Sequence, residues 1–275
     1  ARSSKKCLTA RLKRAILYLM NTTKLLKFGE PNAKLKALTK KLKLKLKTFS
    51  LPSGWTCPGA KECLSKADRA TGKIKDGPDT EFRCFQASAE ALYPSLRRMV
   101  WHNFDLIKVA MMDAWRYKKN KVEAIADLIC DSLPNKFDIL RVHVGGDYFS
   151  KDYLKAWVIV ADRNPDKIFY SYSKSLHFFT DVIRPNNLVL TASRGGKFDE
   201  LIDIHGWKEA VVVFSEQEAI DKGLEIDHDD EHAAFGSESF ALLLHGTQPK
   251  GSAASAALSL LRKAGKGGYA KASTS

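Results

Sequence analysis

Residues 139–172 read ILRVHVGGDYFSKDYLKAWVIVADRNPDKIFYSY. The run 139–144 is short and apolar, and Gly145-Gly146-Asp147 closes it as a turn. Ser150 stands where a helix N-cap belongs, ahead of a periodic apolar stretch over 150–161. A second apolar run follows at 168–172. Strand, helix and strand at this spacing predict a parallel β-α-β unit.

The alternation continues downstream. Strands are predicted at 188–191, 211–214 and 240–245. Helices are predicted at 176–183 and 198–205, after a Ser215/Glu218 capping box, and at 252–263. Upstream, helices fit 11–28, 94–112 and 118–132, the first basic and amphipathic with Leu12, Ile16, Leu19 and Leu26 on one face. In 40–49, KKLKLKLKTF, the period drops to two. Leu42, Leu44 and Leu46 would point inward, and Lys41, Lys43, Lys45 and Lys47 outward, as on an edge strand. Six strands alternating with about six helices give an α/β fold, either a partial (β/α)6-like barrel or an open parallel sheet.

The hydrophobic fraction of 44% suffices for a sizeable core and argues against a disordered chain. The charge is uneven. Residues 1–50 carry fifteen Lys or Arg and one acid, Glu30, so the whole net charge of +14 lies there and the remainder is neutral. We therefore divide the chain into a basic arm with its edge strand (1–47), an α/β domain (48–264) holding a Cys-containing loop at 55–93, and a Gly/Ser/Lys-rich tail (265–275). A basic arm of this kind predicts a polyanionic partner, nucleic acid before membrane, with the four alternating lysines as contacts. No segment reaches the roughly 20 apolar residues of a membrane span. Residues 2–27, basic and acid-free, are also similar in composition to a transit peptide, as any basic arm is. Five cysteines without a secretory flank predict a reducing, cytoplasmic setting.

In both candidate folds a ligand site belongs at the C-terminal strand ends. Three thiols fall in the loop after the first strand, spaced Cys57-x5-Cys63-x20-Cys84. Thiolates are soft ligands suited to an iron–sulfur cluster, to zinc with a fourth ligand such as His102, or to Cu(I). Three partly buried free thiols are the alternative. Cys7 and Cys130 read as structural. The other strand ends offer Gly145, Gly146 and Asp147, then Ser173 and Lys174, then Ser193 and Arg194, then His245 and Gln248. Glycines let a ligand approach the backbone, a carboxylate takes an amino group or ribose hydroxyl, and an Arg suits a phosphate or carboxylate. His143 reads as a satisfied core or rim histidine. The acidic run 225–232 offers Asp227, His228 and Asp229 to a hard divalent cation, or is a solvated loop.

Several motifs together resemble the phage gene product 88 family: FSLPSGWTCPGA at 49–60, Cys63, FRC at 82–84, RVHVGGD at 141–147, YSK at 172–174, TASRGG at 191–196, EIDHDD at 225–230 and HGTQP at 245–249. The likeness runs over 32–248 and implies a protein of a phage-infected or bacterial cell. The layout is also similar, more distantly, to radical SAM barrels, with a three-cysteine loop after the first strand and a Gly-Gly-Glu turn after the second. That likeness implies a [4Fe-4S] cluster on Cys57, Cys63 and Cys84, with S-adenosylmethionine held at Gly145, Gly146 and Asp147. The chain departs from it in cysteine spacing and in carrying Asp for Glu. The leading expectation is a radical SAM-like enzyme modifying a nucleic acid or nucleotide. The rivals are a nucleic-acid-binding protein with a structural metal and a divalent-metal-dependent hydrolase.

Overall fold

The structure, a computed structural model, describes residues 25–266. The first described helix is α1 (Ala33–Leu42), N-capped by Asn32, and it leads into strand β1 (Leu46–Thr48). The cysteine loop contains a hairpin of β2 (Ser65–Ala67) and β3 (Ile74–Asp76) and ends in α2 (Phe85–Leu92). Two longer helices follow, α3 (Pro94–Arg116) and α4 (Lys121–Ser132). Then come β4 (Ile139–Val142), α5 (Lys151–Asp162), β5 (Ile168–Ser173), a 3-10 turn (Leu176–Phe178) and β6 (Leu188–Ser193). The chain continues through α6 (Glu200–His205), β7 (Glu209–Val213), α7 (Glu216–Asp221), β8 (Glu225–Ile226) and α8 (Glu231–Ala234). It closes with β9 (Phe240–Leu243) and α9 (Ala253–Lys263).

Seven strands form one sheet in the order β1-β4-β5-β6-β7-β9-β8, and every neighbouring pair is parallel. β1 and β8 are opposite edges, so the sheet is open and not a closed barrel. One face packs Leu140, Val142, Phe169 and Leu188 with Trp157 of α5, Ile107 of α3 and Ile125 of α4. The other packs Ile139, Tyr170 and Ala210 with Leu35 and Leu38 of α1 and Ala233 and Ala234 of α8. Burial on both faces explains why these strands read as unbroken apolar runs and not as alternating ones.

The structure corrects the reading of 40–49 as a strand. α1 runs through Lys41 and Leu42, Lys43 takes the left-handed cap conformation (φ 56°), and only Leu46–Thr48 is strand. Leu35, Leu38 and Leu42 share a helical face, and its packing on the sheet outweighs the short two-residue period. Residues 33–47 are thus part of the domain, not an arm. The helix predicted over 11–28 lies outside the described residues up to 24, and 25–28 are not helical. There the backbone is pinned instead. Leu26 N–H donates to Ser132 Oγ (2.9 Å), and Lys27 exchanges hydrogen bonds with the Asn103 amide (2.8 and 2.9 Å). The helix predicted at 176–183 shrinks to the single 3-10 turn. Among the described residues no helix is long and apolar enough to cross a membrane.

Candidate functional site: a thiol-lined cavity at the strand ends

The loop after β1 folds back over the ends of three other strands. Leu51 N–H donates to Gly145 O (2.8 Å), Glu62 N–H to Gly195 O (3.1 Å) and Lys197 N–H to Gly59 O (2.9 Å). Gly59 lies so close to β5 that an added Cβ would stand 1.9 Å from Lys174 O. Gly146 has φ +81°, and a Cβ there would meet Thr56 Oγ1 at 2.6 Å. Both positions need glycine, one for close approach and the other also for its backbone angle.

This folding brings the three thiols together. Cys57, Cys63 and Cys84 line one cavity of about 170 Å³ with Gly145, Gly146, Asp147, Ser173, Lys174, Ser193 and His245. Its apolar walls are Phe82, Phe85, Val144, Val212, Leu242 and Leu244. Burial raises all three thiols. Cys57 is pushed well up, with the Asp147 charge adding to the effect. Cys63 is raised by burial while Lys174 pulls it down. Cys84 reaches about 12 through burial and then Cys63, partly offset by the Ala87 and Gln86 N–H groups at the start of α2. Without a metal the three stay protonated at neutral pH, and ligation releases protons.

Two predicted site residues do not line this cavity. Arg194 turns away to Glu209 and to Asp203 (2.8 Å). Gln248 holds the cysteine segment instead: its Oε1 accepts Arg83 N–H at 2.7 Å, and its Nε2 donates to His245 O at 3.0 Å. It positions Cys84 from behind. His102 is also elsewhere, its Nε2 bonded to Leu25 O at 2.9 Å on α3. A single zinc ion draws four ligands to within roughly 2.3 Å of one point. Among the described residues no three His, Cys, Asp or Glu side chains are grouped to hold one ion.

Asp147 lines the cavity with its carboxylate already engaged within the protein. Its Oδ1 accepts from Tyr148 N–H and the Ser173 hydroxyl, both at 2.7 Å. Its Oδ2 accepts from Lys174 N–H (2.9 Å) and Ser175 N–H (3.2 Å). A carboxylate has about four acceptor positions, and these are filled. Asp147 therefore ties β4 to β5. Lys174 is likewise engaged, its ammonium donating to the Ser193 (3.0 Å) and Arg194 carbonyls.

The four lysines read as one strand face fall in different local structures: Lys41 in α1, where it pairs with Glu231, Lys43 at the α1 C-cap, Lys45 in the connection, and Lys47 in β1, where it pairs with Glu30. The acidic run is structural too. Asp227 Oδ1 closes a turn by accepting from Asp229 and Asp230 N–H (3.0 and 2.8 Å). Asp230 is buried beside Lys34 (2.6 Å) and Arg141, with the Tyr170 and Tyr172 hydroxyls both at 3.1 Å. His143, at φ 68°, bonds Tyr153 Oη at 3.0 Å, and burial lowers its pKa to about 3.

Sequence reasoning missed Glu90. It is fully buried, and its Oε1 accepts Ser53 N–H at 2.9 Å. Burial lifts its carboxyl from 4.5 to about 7. The folded state then holds a proton that the unfolded chain has released, so stability falls as pH rises from about 4.5 through 7. In urea titrations the Glu90→Gln variant should gain about 3 kcal/mol over the parent between pH 5 and pH 8. Equal slopes for the two proteins would count against it.

No solved structure matches this chain. A gene 88 protein of Mycobacterium phage L5 is 26% identical over 130 residues, 46% of this chain and 47% of that protein. The match thus spans about half the length of each. The Gene product 88 family model matches residues 20–263, which include all three cavity cysteines. This chain belongs to the gene product 88 family.

Proposed function

We propose that the cavity holds a [4Fe-4S] cluster on Cys57, Cys63 and Cys84, and that the protein is an iron–sulfur protein with one iron left free of cysteine. The observation that carries the reading is the convergence of three thiols from separate parts of one loop on a single cavity at the strand ends. The donor set fits in its chemistry: the thiols are soft and the walls are largely apolar. When bound, such a cluster supplies one-electron transfer and a site for a ligand at the open iron. Lys174 supplies positive charge beside Cys63, and the α2 N-terminus does so beside Cys84. The phenylalanine and leucine walls surround the half-buried thiols with apolar surface.

S-adenosylmethionine at that iron is part of the same reading. Since the Asp147 carboxylate is filled, the amino group would have to meet other cavity groups, such as Ser193 or the Gly145 and Gly146 backbone. Protein purified without oxygen should contain about four iron and four sulfide per chain and absorb broadly in the visible. Each of Cys57→Ser, Cys63→Ser and Cys84→Ser should lose that colour, while Cys130→Ser keeps it. Colourless protein containing zinc and no sulfide would sink the proposal. Adding S-adenosylmethionine should perturb the spectrum of the reduced protein if the extension holds.

A further inference from the structure

The outer face of the β2–β3 hairpin carries a feature that the thiol cavity does not use. Trp55 is 48% exposed despite its size. It is fixed in place, its indole N–H donating to Ala67 O at 2.9 Å and its ring tilted against Trp101 at 5.8 Å. The Lys66 ammonium lies 5.0 Å from the ring centroid. Lys66 is paired directly across the hairpin from Lys75, so the two side chains leave on the same face.

Like charges directly opposite each other destabilise a strand pair, and a two-stranded hairpin is marginal at best. Among the described residues neither Lys66 nor Lys75 has an ion-pair partner. The nearby acids are engaged elsewhere. Asp68 closes its turn on Ala70 and Thr71 N–H, Asp76 holds Arg83, and Asp105 holds Arg69. A rigid, half-exposed indole with the Lys66 ammonium over its ring and Lys75 beside Lys66, neither lysine ion-paired among the described residues, suits a base with its phosphates, the base taking the place of the ammonium on the ring. An acidic peptide would use the lysines but not the indole face.

The geometry points to this surface as a binding site for single-stranded nucleic acid, with a base on Trp55 and the backbone along Lys66 and Lys75. The site adjoins the cavity: Trp55 is two residues before Cys57, and Ser65 Oγ accepts Cys84 N–H at 3.4 Å. It does not depend on a cluster being there, and its failure would leave the iron and sulfide assay untouched.

The test is fluorescence anisotropy of the full chain with labelled oligo-dT and oligo-rU of about 12 nucleotides. Trp55→Ala should weaken binding about tenfold, and Trp55→Phe only a few-fold. The Lys66→Gln/Lys75→Gln pair should lower the slope of log affinity against log salt by about 1.4. The dT and rU arms show which sugar is preferred. The inference is overturned if the parent binds neither oligonucleotide, or if polyglutamate or a duplex of equal length binds as tightly. It is also overturned if Trp55→Ala and the lysine pair, both folded by circular dichroism, bind like the parent. If Trp55→Ala does not fold, Trp55→Phe and the salt slope of the lysine pair decide.

Discussion

Asp230→Asn should cost the protein about 3–5 kcal/mol, a large part of the 5–15 kcal/mol that holds a typical domain together. Lys34 of α1 and Arg141 of β4 converge on this one carboxylate, joined by the hydroxyls of Tyr170 and Tyr172 from β5. All three charged groups are buried. Burial alone would raise the acid, but Arg141 and Lys34 outweigh it and hold its pKa to about 2. Removing the charge takes from Arg141 and Lys34 the buried carboxylate that both face, and the loss of that pairing makes up most of the cost. Asn is the informative replacement because Asp230 has φ 71°, which Asn tolerates better than Ala. The measurement is the urea midpoint near pH 7. Adding Lys34→Met to the variant should recover part of the loss. A change below 1 kcal/mol would show the network to be unimportant. The contribution is fully present above the ordinary carboxyl value of 3.8 and is lost as pH falls through about 2.

Gly59→Ala should separate metal binding from folding. The new methyl would meet Lys174 O at 1.9 Å and Lys174 C at 2.4 Å, both main-chain atoms at the end of β5 that cannot swing aside. The loop must lift, which strains the Lys197 N–H to Gly59 O bond and the Ala60–Gly196 bridge. Overpacking of this kind costs about 1–3 kcal/mol. The sheet should survive, with far-ultraviolet dichroism like the parent's, while retention of the proposed cluster's iron drops about tenfold or more. Full iron content in this variant would mean that the loop's seat on β5 does not set the thiol positions.

β4, β5, β6, β7 and β9 were legible because a sheet covered on both faces writes itself as apolar runs between helix caps, whereas the two-residue β8 fell inside the acidic run and was missed. Ser150 illustrates the local signal, its hydroxyl accepting Tyr153 N–H at 3.3 Å at the start of α5. KKLKLKLKTF misled because two periods overlap there, and packing of Leu35 and Leu38 on the sheet decided for the helix. The cysteines could be grouped by their place after a strand, but not their distance apart in space. The Gly-Gly-Asp turn was identified as a turn, but the hydrogen bonds by which its carboxylate ties β4 to β5 were not. Three of the four donors that fill Asp147 lie 26 to 28 residues further on, beyond any local pattern. Arg141 gave a clue that was passed over: a charged residue inside an apolar strand requires a buried partner, and Asp230 is 89 residues away.

The strand order carries a consequence for how the chain assembles. β4, β5, β6 and β7 are neighbours in sequence and in space. β1 joins them only through β4, at an anchor where Lys45 N–H meets Asp138 across a separation of 93 residues. Closing so long a loop carries an entropic cost that contacts between successive strands do not. The β4–β7 segment is then the natural nucleus, and β1 adds late, bringing the cysteine loop with it. The cavity is thereby among the last parts of the molecule to form, so an ion or cluster that needs all three thiols in place would meet a nearly finished sheet.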